Sequence, residues 1–307
     1  MALAQRSRKN CNALSKLQHA SLDFLHPLFP VECSDQRLER PDLAHPALFD
    51  PLSEGLRLLS YHLRTMNVCL VADGTLFWPM DGSTPAWPNL ERLNVTFHVS
   101  TPSGSWYFHG LPGIGATTGY EVTEDAYPSL VDTEADQDDD DDTLYIDWNE
   151  DQVTVAFRVE PNEATLSPFL TAFAKAAAQM HALTEVTLWC PLRFYVDKIG
   201  EGPYQGIDTA QILGVESNMN KELAWGIACT APGVRDPWQQ YSDQRQLWWK
   251  VAGWRPNAEL HSLLRQIDSV KHCGGLEEHW DDEQERQRFC DRDWFLMWPQ
   301  RWDTSLS

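Results

Sequence analysis

Basic side chains are scarce in this sequence. Lys and Arg together number 24, against 45 Asp and Glu residues, and the formal net charge is −21. A protein that binds DNA or RNA neutralises phosphates with clustered Lys and Arg side chains. Because the basic residues are scattered along the chain, we expect no nucleic-acid partner.

Long apolar runs are missing as well. The sequence has no stretch of about 18 consecutive apolar residues, the length that a membrane-spanning helix needs. The basic residues near the N-terminus are not followed by the apolar segment of a signal peptide. We therefore expect no membrane association and a cytoplasmic or nuclear location.

The cysteines do not form a recognisable framework. There are seven, at irregular spacing, so reduced thiols are expected rather than disulfides. His272, Cys273, His279 and Cys290 are possible zinc ligands, but they lack the paired spacing of zinc sites. No metal site is predicted.

Motifs that carry catalysis are missing too. The glycines of residues 110–119 have neither the Lys-Ser or Lys-Thr of a P-loop nor a following helix with an apolar stripe. No G-x-S-x-G nucleophile motif occurs. The aspartates of residues 136–142 lack the alternating ligands and the glycine of a calcium-binding loop. We predict no catalytic residue and no cofactor, and the sequence favours a protein that is not an enzyme.

The negative charge is concentrated in one segment. Residues 121–151 contain 14 Asp and Glu residues and no Lys or Arg. Such a segment repels itself and has little apolar surface to bury, so it is predicted to be a disordered insertion. It interrupts a repeat-like α/β region over residues 51–222, which follows an irregular segment over residues 1–50. A tryptophan-rich region over residues 223–307 is expected to pack with the preceding part as one domain.

A short pattern of apolar residues recurs along the chain. It reads Leu63-x-x-Met66-x-Val68, Leu90-x-x-Leu93-x-Val95 and Leu183-x-x-Val186-x-Leu188, with a weaker start at Leu14-x-x-Leu17. This pattern is typical of the strand of a leucine-rich repeat, whose length is about 20 to 29 residues. The first two copies fit that length, whereas the third follows only after the insertion. We predict a mixed α and β fold with degenerate leucine-rich-repeat-like strand and helix units.

Two helices are predicted from apolar residues at helical spacing. The first contains Leu52, Leu56, Leu59 and Leu63, and the second contains Phe169, Phe173, Ala176, Ala177 and Met180. Pro168 is expected in the first turn of the second helix, where proline is tolerated. Strands are predicted over residues 105–109, 152–159 and 223–229. The strict alternation over 152–159 predicts a half-buried strand.

A tryptophan-rich run is the most distinctive part of the chain. Leu247, Trp249 and Val251 alternate with Trp248, Lys250, Ala252 and Trp254. Because successive side chains of a strand point to opposite faces, both faces are expected to be covered. Leu260, Leu263, Leu264 and Ile267 then predict a helix with one buried stripe. Trp and Arg are enriched in protein interfaces, so Trp248, Trp254 and Arg255 are candidate binding residues.

The same run carries a resemblance to a known family. Residues 87–91, residues 101–108, the helix ending at Ala177 and above all Trp248 to Ile267 resemble the C-terminal region of a group of filamentous-fungal F-box proteins. The resemblance spans roughly residues 52–280 and implies a scaffold that binds a protein substrate. Residues 1–50 hold four prolines and no sustained helical period, which is unlike an F-box. A ubiquitin-ligase adaptor is therefore expected as a partner only if the N-terminus is a divergent F-box.

Two functions are weighed first, and a third possibility is electrostatic binding of a basic partner through the acidic residues 121–151. The leading hypothesis is a non-catalytic protein-interaction scaffold with an unknown protein partner. The alternative is an accessory protein or enzyme of a fungal specialised-metabolite gene cluster. That alternative would use a pocket between the acidic insertion and the tryptophan-rich run.

Overall fold

The computed structural model describes residues 16–26, 28, 34–110, 156–194, 221–236, 241–268, 271–272, 274–281 and 290–303. The acidic segment 121–151 lies outside these ranges, so its predicted disorder stays a prediction. Glycine-rich residues 111–119 lie outside them as well. No helix within the described ranges is long and apolar enough to cross a membrane.

The described residues form ten strands and four α-helices. The strands are β1 (His19–Asp23), β2 (Thr65–Leu70), β3 (Arg92–Phe97), β4 (Phe108–His109), β5 (Glu160–Pro161), β6 (Glu185–Phe194), β7 (Lys221–Thr230), β8 (Arg245–Lys250), β9 (Leu276–Trp280) and β10 (Cys290–Asp291). The helices are α1 (Pro51–Ser60), α2 (Glu163–Ala177), α3 (Ala258–Leu264) and α4 (Asp293–Asp303). A 3-10 helix spans Gly74–Leu76. The predicted mixed α and β class is confirmed.

One mixed sheet organises the molecule. Its strand order is β1-β2-β3-β6-β7-β8-β9, and β10 pairs with β7 beside this path. Strands β1, β2, β3 and β6 are parallel to one another. Strand β7 is antiparallel to β6 and β8, and β8 and β9 are parallel. Strands β4 and β5 form a separate small sheet.

The recurring apolar pattern lies in register across this sheet. Met66 pairs with Leu93 and Leu93 with Val186, so the three copies occupy equivalent positions on neighbouring parallel strands. In β1 the equivalent residue is Ala20, which pairs with Met66. The weaker copy therefore begins at Leu17, three residues after the predicted start. Parallel pairing does not by itself establish a leucine-rich repeat, and that finer description stays a prediction.

Helices α1, α2 and α3 cover one face of the sheet. Leu56, Phe169 and Leu260 are among the side chains that they bury there. Several details differ from the prediction, and Leu63 and Met180 lie beyond the ends of α1 and α2. Leu52 is 42% exposed, because α1 turns its Ser53, Leu56, Arg57 and Ser60 side inward. Pro168 lies inside α2 rather than in its first turn. The helix begins earlier, because the N-cap residue is Asn162, whose side chain accepts a hydrogen bond from Ala164 N.

Helix α4 covers the opposite face at β6, β7 and β8. Trp294, Phe295 and Trp298 pack there against Trp189, Ala224, Ala228 and Trp248 in a second apolar cluster. The rings of Trp189 and Phe295 are stacked, with centroids 5.2 Å apart. Strand β8 therefore has both faces covered, as predicted, with Trp249 in the first cluster and Trp248 in the second.

The predicted half-buried strand over residues 152–159 is wrong where the structure describes it. Phe157, Arg158 and Val159 are all fully buried, so burial does not alternate. The backbone N–H groups of Phe157 and Arg158 both donate to Gln36 Oε1, each at 2.7 Å. The Arg158 guanidinium lies 4.2 Å from the centroid of the Trp106 ring. Alternation predicts that the Arg158 side of residues 156–159 faces solvent. In the structure, Gln36 and Trp106, which are distant in sequence, cover that side.

Candidate functional site

Trp248 lines a pocket on the α4 side of the sheet. The pocket has a volume of about 550 Å³, within the range of small-molecule sites. Its floor is formed by alternate residues of β8 and β9, and Trp294 of α4 forms one wall. His279 stacks on Trp248 with ring centroids 5.4 Å apart. Trp248 itself is buried, so it shapes the pocket rather than projecting from the surface.

Polar side chains of this pocket pair with one another. Gln246 Nε2 donates to Glu277 Oε2 at 3.0 Å, and His279 Nε2 lies within hydrogen-bonding distance of Gln246 Oε1. Lys250 forms a salt bridge with Asp281. Its ammonium also lies 5.1 Å from the centroid of the Trp294 ring. The pocket is therefore polar and internally hydrogen-bonded, and a ligand would compete with these pairs.

The alternation predicted that Trp254 and Trp248 lie on the same face of the strand. In the structure they lie on different faces. Strand β8 ends at Lys250, and Ala252 follows with a positive φ of 52°. This turn brings Trp254 to the helix side, where its ring meets the edge of Trp225 at 5.4 Å between centroids. The Trp254 Nε1–H donates to Glu163 of α2. Trp254 thus joins the tryptophan-rich run to α2.

Arg255 lies over an aromatic stack at the edge of the sheet. Its guanidinium is 4.3 Å from the centroid of Trp280, and Trp280 lies parallel to Trp249 at 4.5 Å. The Nη1 group donates to Trp254 O at 2.8 Å. The side chain is exposed, yet its cation is held against the chain's own tryptophan. The three candidate residues therefore occupy three separate environments.

Sequence reasoning missed Glu278, which organises the helix side of this edge. Its carboxylate accepts hydrogen bonds from Trp249 Nε1 at 3.0 Å and pairs with His261 Nε2 at 2.7 Å and Arg265 Nε at 3.1 Å. An open cleft of about 520 Å³ beside it is lined by both His261 and Arg265. Glu278 is one of many acidic residues, so no local pattern could have identified it.

The possible zinc ligands do not form a described site. His279 is engaged with Gln246 and Trp248, and His272 lies 3.6 Å from Asp268. Cys273 lies outside the described residues. In the part of the chain that the structure describes, no three His, Cys, Asp or Glu residues come close enough to hold a metal ion. Burial raises the pKa of the Cys229 thiol to about 12, so this thiol stays protonated at neutral pH.

Besides the pocket and the cleft, several large apolar side chains are exposed on and just before helix α1. Leu48 is 91% exposed, and Phe49, Leu52 and Leu58 are between 42% and 50% exposed. We call these four residues, together with Gly55 between Leu52 and Leu58, the α1 face.

The chain that carries the α1 face is held by buried polar contacts. The carboxylate of Asp50, which is buried, accepts from the backbone N–H groups of Leu52 and Ser53 at 3.1 and 2.9 Å. Asp50 N in turn donates to Asp73 Oδ2 at 3.1 Å. Arg57, on the inward side of α1, donates to Thr75 O at 2.9 Å. The exposed apolar side chains are therefore presented by an anchored backbone.

Comparison of the chain with models of protein families, with curated proteins and with solved structures finds no match. The resemblance to fungal F-box proteins stays a prediction from the sequence.

Proposed function

We propose that the chain is a non-catalytic protein-interaction scaffold. The observation that carries the proposal is the exposure of four large apolar side chains within residues 48–58, because exposed apolar side chains that form a patch mark protein-interaction sites. Phe49 precedes the N-cap of α1, where an apolar residue often packs on the fourth helical residue, but here that residue is Glu54.

The test is affinity capture from an extract of the source cells with the full chain as bait. A partner should be retained by the native chain and lost from the Leu48→Asp, Leu52→Asp double variant. Leu296→Asp is the matched control, since Leu296 of α4 is 43% exposed and Leu52 is 42% exposed. Equal recovery of every protein by native, double-variant and control baits would remove the support for the proposal.

A link to a ubiquitin ligase is a further part of this proposal. In the family that the chain resembles, an N-terminal F-box binds a ligase adaptor. Deleting residues 1–50 would remove β1 and the Gln36 contacts to Arg158 along with any adaptor site. Substitutions at exposed Leu38 and Leu43 therefore test adaptor binding more cleanly. If the chain binds purified adaptor and the substitutions at Leu38 and Leu43 abolish this binding, a divergent F-box is favoured.

The pocket beside Trp248 favours a second candidate function, an accessory protein or enzyme of fungal specialised metabolism. Its volume of about 550 Å³ suits a small molecule, and Lys250, His279 and Asp281 supply polar groups. Thermal-shift screening of the chain against fungal specialised metabolites tests this candidate. A ligand whose stabilising effect disappears in Gln246→Ala would support it. Unchanged metabolite profiles after gene deletion would argue against it.

A further inference from the structure

The open cleft beside Glu278 is lined by basic side chains. It lies between α3 and the start of the β8–β9 pair, where Arg245 pairs with Leu276. Its ionisable lining residues are Arg245, His261 and Arg265, and none of its described lining residues is Asp or Glu. Such a lining is unusual in a chain whose net charge is −21.

Arg245 keeps an unused hydrogen-bond donor in this cleft. The residue is only 7% exposed. Its Nη1 group donates to Arg265 O at 3.0 Å and to Ile267 O at 2.9 Å, which fixes the guanidinium at the end of α3. Its Nε group is buried and has no acceptor among the described residues. A buried charged group with an unpaired donor costs free energy, so an oxygen ligand at this guanidinium would be favourable.

The ion pairs of Glu278 leave donors free on the neighbouring cation. This carboxylate is shared between His261 Nε2 at 2.7 Å and Arg265 Nε at 3.1 Å, and it also accepts from Trp249 Nε1. A guanidinium has five N–H donors, and the Arg265 side chain is 54% exposed. Arg265 can therefore bind a second oxyanion while it stays beside Glu278.

Asp268 does not neutralise Arg245 by itself either. Its charge interacts with Lys271 and His272 as well as with Arg245, and its Oδ2 lies 3.6 Å from His272 Nε2. Neither of its oxygens accepts a hydrogen bond from Arg245. Three basic side chains thus share Asp268, and two share Glu278.

Neutral donors stand beside these cations. Ser262 and Gln266 also line the cleft, and they lie one helical turn apart on the same side of the chain. The cleft volume of about 520 Å³ is within the range of small-molecule sites. Guanidinium groups with hydroxyl and amide donors suit the oxygen atoms of a carboxylate or a phosphate.

We propose that this cleft binds the phosphate or carboxylate group of a small molecule, with Arg245 and Arg265 as the charged donors. Ala258 and Leu276 supply apolar lining for the rest of such a molecule. The site goes beyond the scaffold function and uses none of the side chains of the α1 face. It is also separate from the Trp248 pocket, with which it shares no lining residue.

Isothermal titration calorimetry of the full chain with inorganic phosphate and with citrate tests the proposal. Sodium chloride holds the ionic strength constant in both titrations. We expect at least one of the two anions to bind, and the one that binds more tightly tells a phosphate ligand from a carboxylate ligand. Binding of neither anion would overturn the proposal, and a chain that still captures a protein partner would then leave the scaffold function standing.

Arg265→Gln should weaken anion binding about fivefold or more, because it removes a charged donor and leaves Glu278 without that counter-charge. Arg64→Gln is the matched control. Arg64 is 51% exposed and lies 3.0 Å from Glu91, so its loss removes the same charge from a similar ion pair outside the cleft. The control should bind as the native chain does. Equal affinities of the two variants would mean that the anion does not bind at Arg265 and would overturn the site.

Asp268→Asn tests the part of Arg245 without removing its contacts to α3. Arg245 then loses a competing carboxylate, so anion binding should tighten about threefold or more. Glu91→Gln removes the same charge elsewhere and should leave the affinity unchanged. Equal affinities of the Asp268→Asn and Glu91→Gln chains would overturn the assignment of Arg245 as a donor.

Discussion

Trp280 lies flat against Trp249, with ring centroids 4.5 Å apart and planes 3° apart. Arg255 covers the Trp280 ring at 4.3 Å, and His261 of α3 meets the Trp249 ring at 5.4 Å. The stack joins β9 to β8 at the end of the sheet, where β9 pairs with a single neighbour among the described strands.

Removing the Trp280 ring should destabilise this edge. We expect Trp280→Ala to lower the free energy of unfolding by about 3 kcal/mol, as is typical of a large aromatic truncation. Arg255→Ala should cost only about 0.5 to 1 kcal/mol, because its cation–π contact is exposed. Urea unfolding followed by near-UV circular dichroism checks this order. An Arg255→Ala cost equal to that of Trp280→Ala would contradict it.

Gly226 of β7 allows α4 to reach the sheet. A Cβ atom there would lie 2.5 Å from Trp189 Cβ and 2.8 Å from Phe295 Cζ. Gly226→Ala should therefore destabilise the protein by about 1 to 3 kcal/mol, the usual cost of overpacking. In contrast, Gly55→Ala should stabilise it by about 0.5 to 1 kcal/mol. Thermal unfolding of both variants gives the comparison, and a neutral Gly226→Ala would mean that α4 docks more loosely.

Asn94 links three parallel strands through its side chain. Its Nδ2 donates to Asn67 Oδ1 at 2.5 Å, and its Oδ1 accepts from the Thr187 hydroxyl. Asn94→Ala should cost about 1 to 3 kcal/mol, because the buried Thr187 hydroxyl loses its acceptor. Adding Thr187→Val should recover part of that loss. A double-mutant cycle measures the coupling, and strict additivity would show that the two side chains act independently.

Asp268 should make stability depend on pH. Desolvation raises its pKa, while the nearby His272, Lys271 and Arg245 partly oppose the rise. Both carboxylate oxygens are buried, and neither accepts a hydrogen bond from a residue that the structure describes. A carboxyl whose pKa is higher in the folded state than in the unfolded state destabilises the fold when it ionises.

The stability cost of Asp268 is therefore absent well below about pH 4, the unfolded value, and appears as the pH rises through the higher folded pKa. Asp268→Asn should raise the melting temperature at pH 7 and leave it unchanged near pH 3. Asparagine tolerates the positive φ of 57° at this position. A melting-temperature change of the same size at both pH values would point to a cause other than ionisation.

Local patterns explain the successful predictions. The alternation of Leu247, Trp248 and Trp249 correctly placed aromatic side chains on two covered faces, because a strand turns its side chains over at every residue. Of the predicted stripe of Leu260, Leu263, Leu264 and Ile267, Leu260 and Leu264 are buried on α3, whereas Leu263 is half-buried and Ile267 is buried beyond the end of the helix. The recurring pattern at Met66, Leu93 and Val186 predicted three equivalent strands, and these residues pair in register in the sheet.

The failed predictions involve partners far away in the chain. Arg158 looked solvent-facing, yet Gln36 and Trp106 bury it. Trp254 looked like a strand residue, yet the turn at Ala252 sends it to Glu163 on α2. The Glu278 contacts to Trp249 and His261 left no local signal.

The sequence by itself determined that the tryptophan-rich run contains a strand followed by a helix and which of their sides are apolar, because these properties depend on the periodicity of neighbouring residues. Only the tertiary structure decided where the candidate binding residues lie. Trp248, Trp254 and Arg255 are close in sequence, but a pocket, a helix contact and a stacked ring separate them. The exposure of Leu52 and the open space at Gly55 were likewise decided by packing, because a helical pattern does not state which side another element will cover.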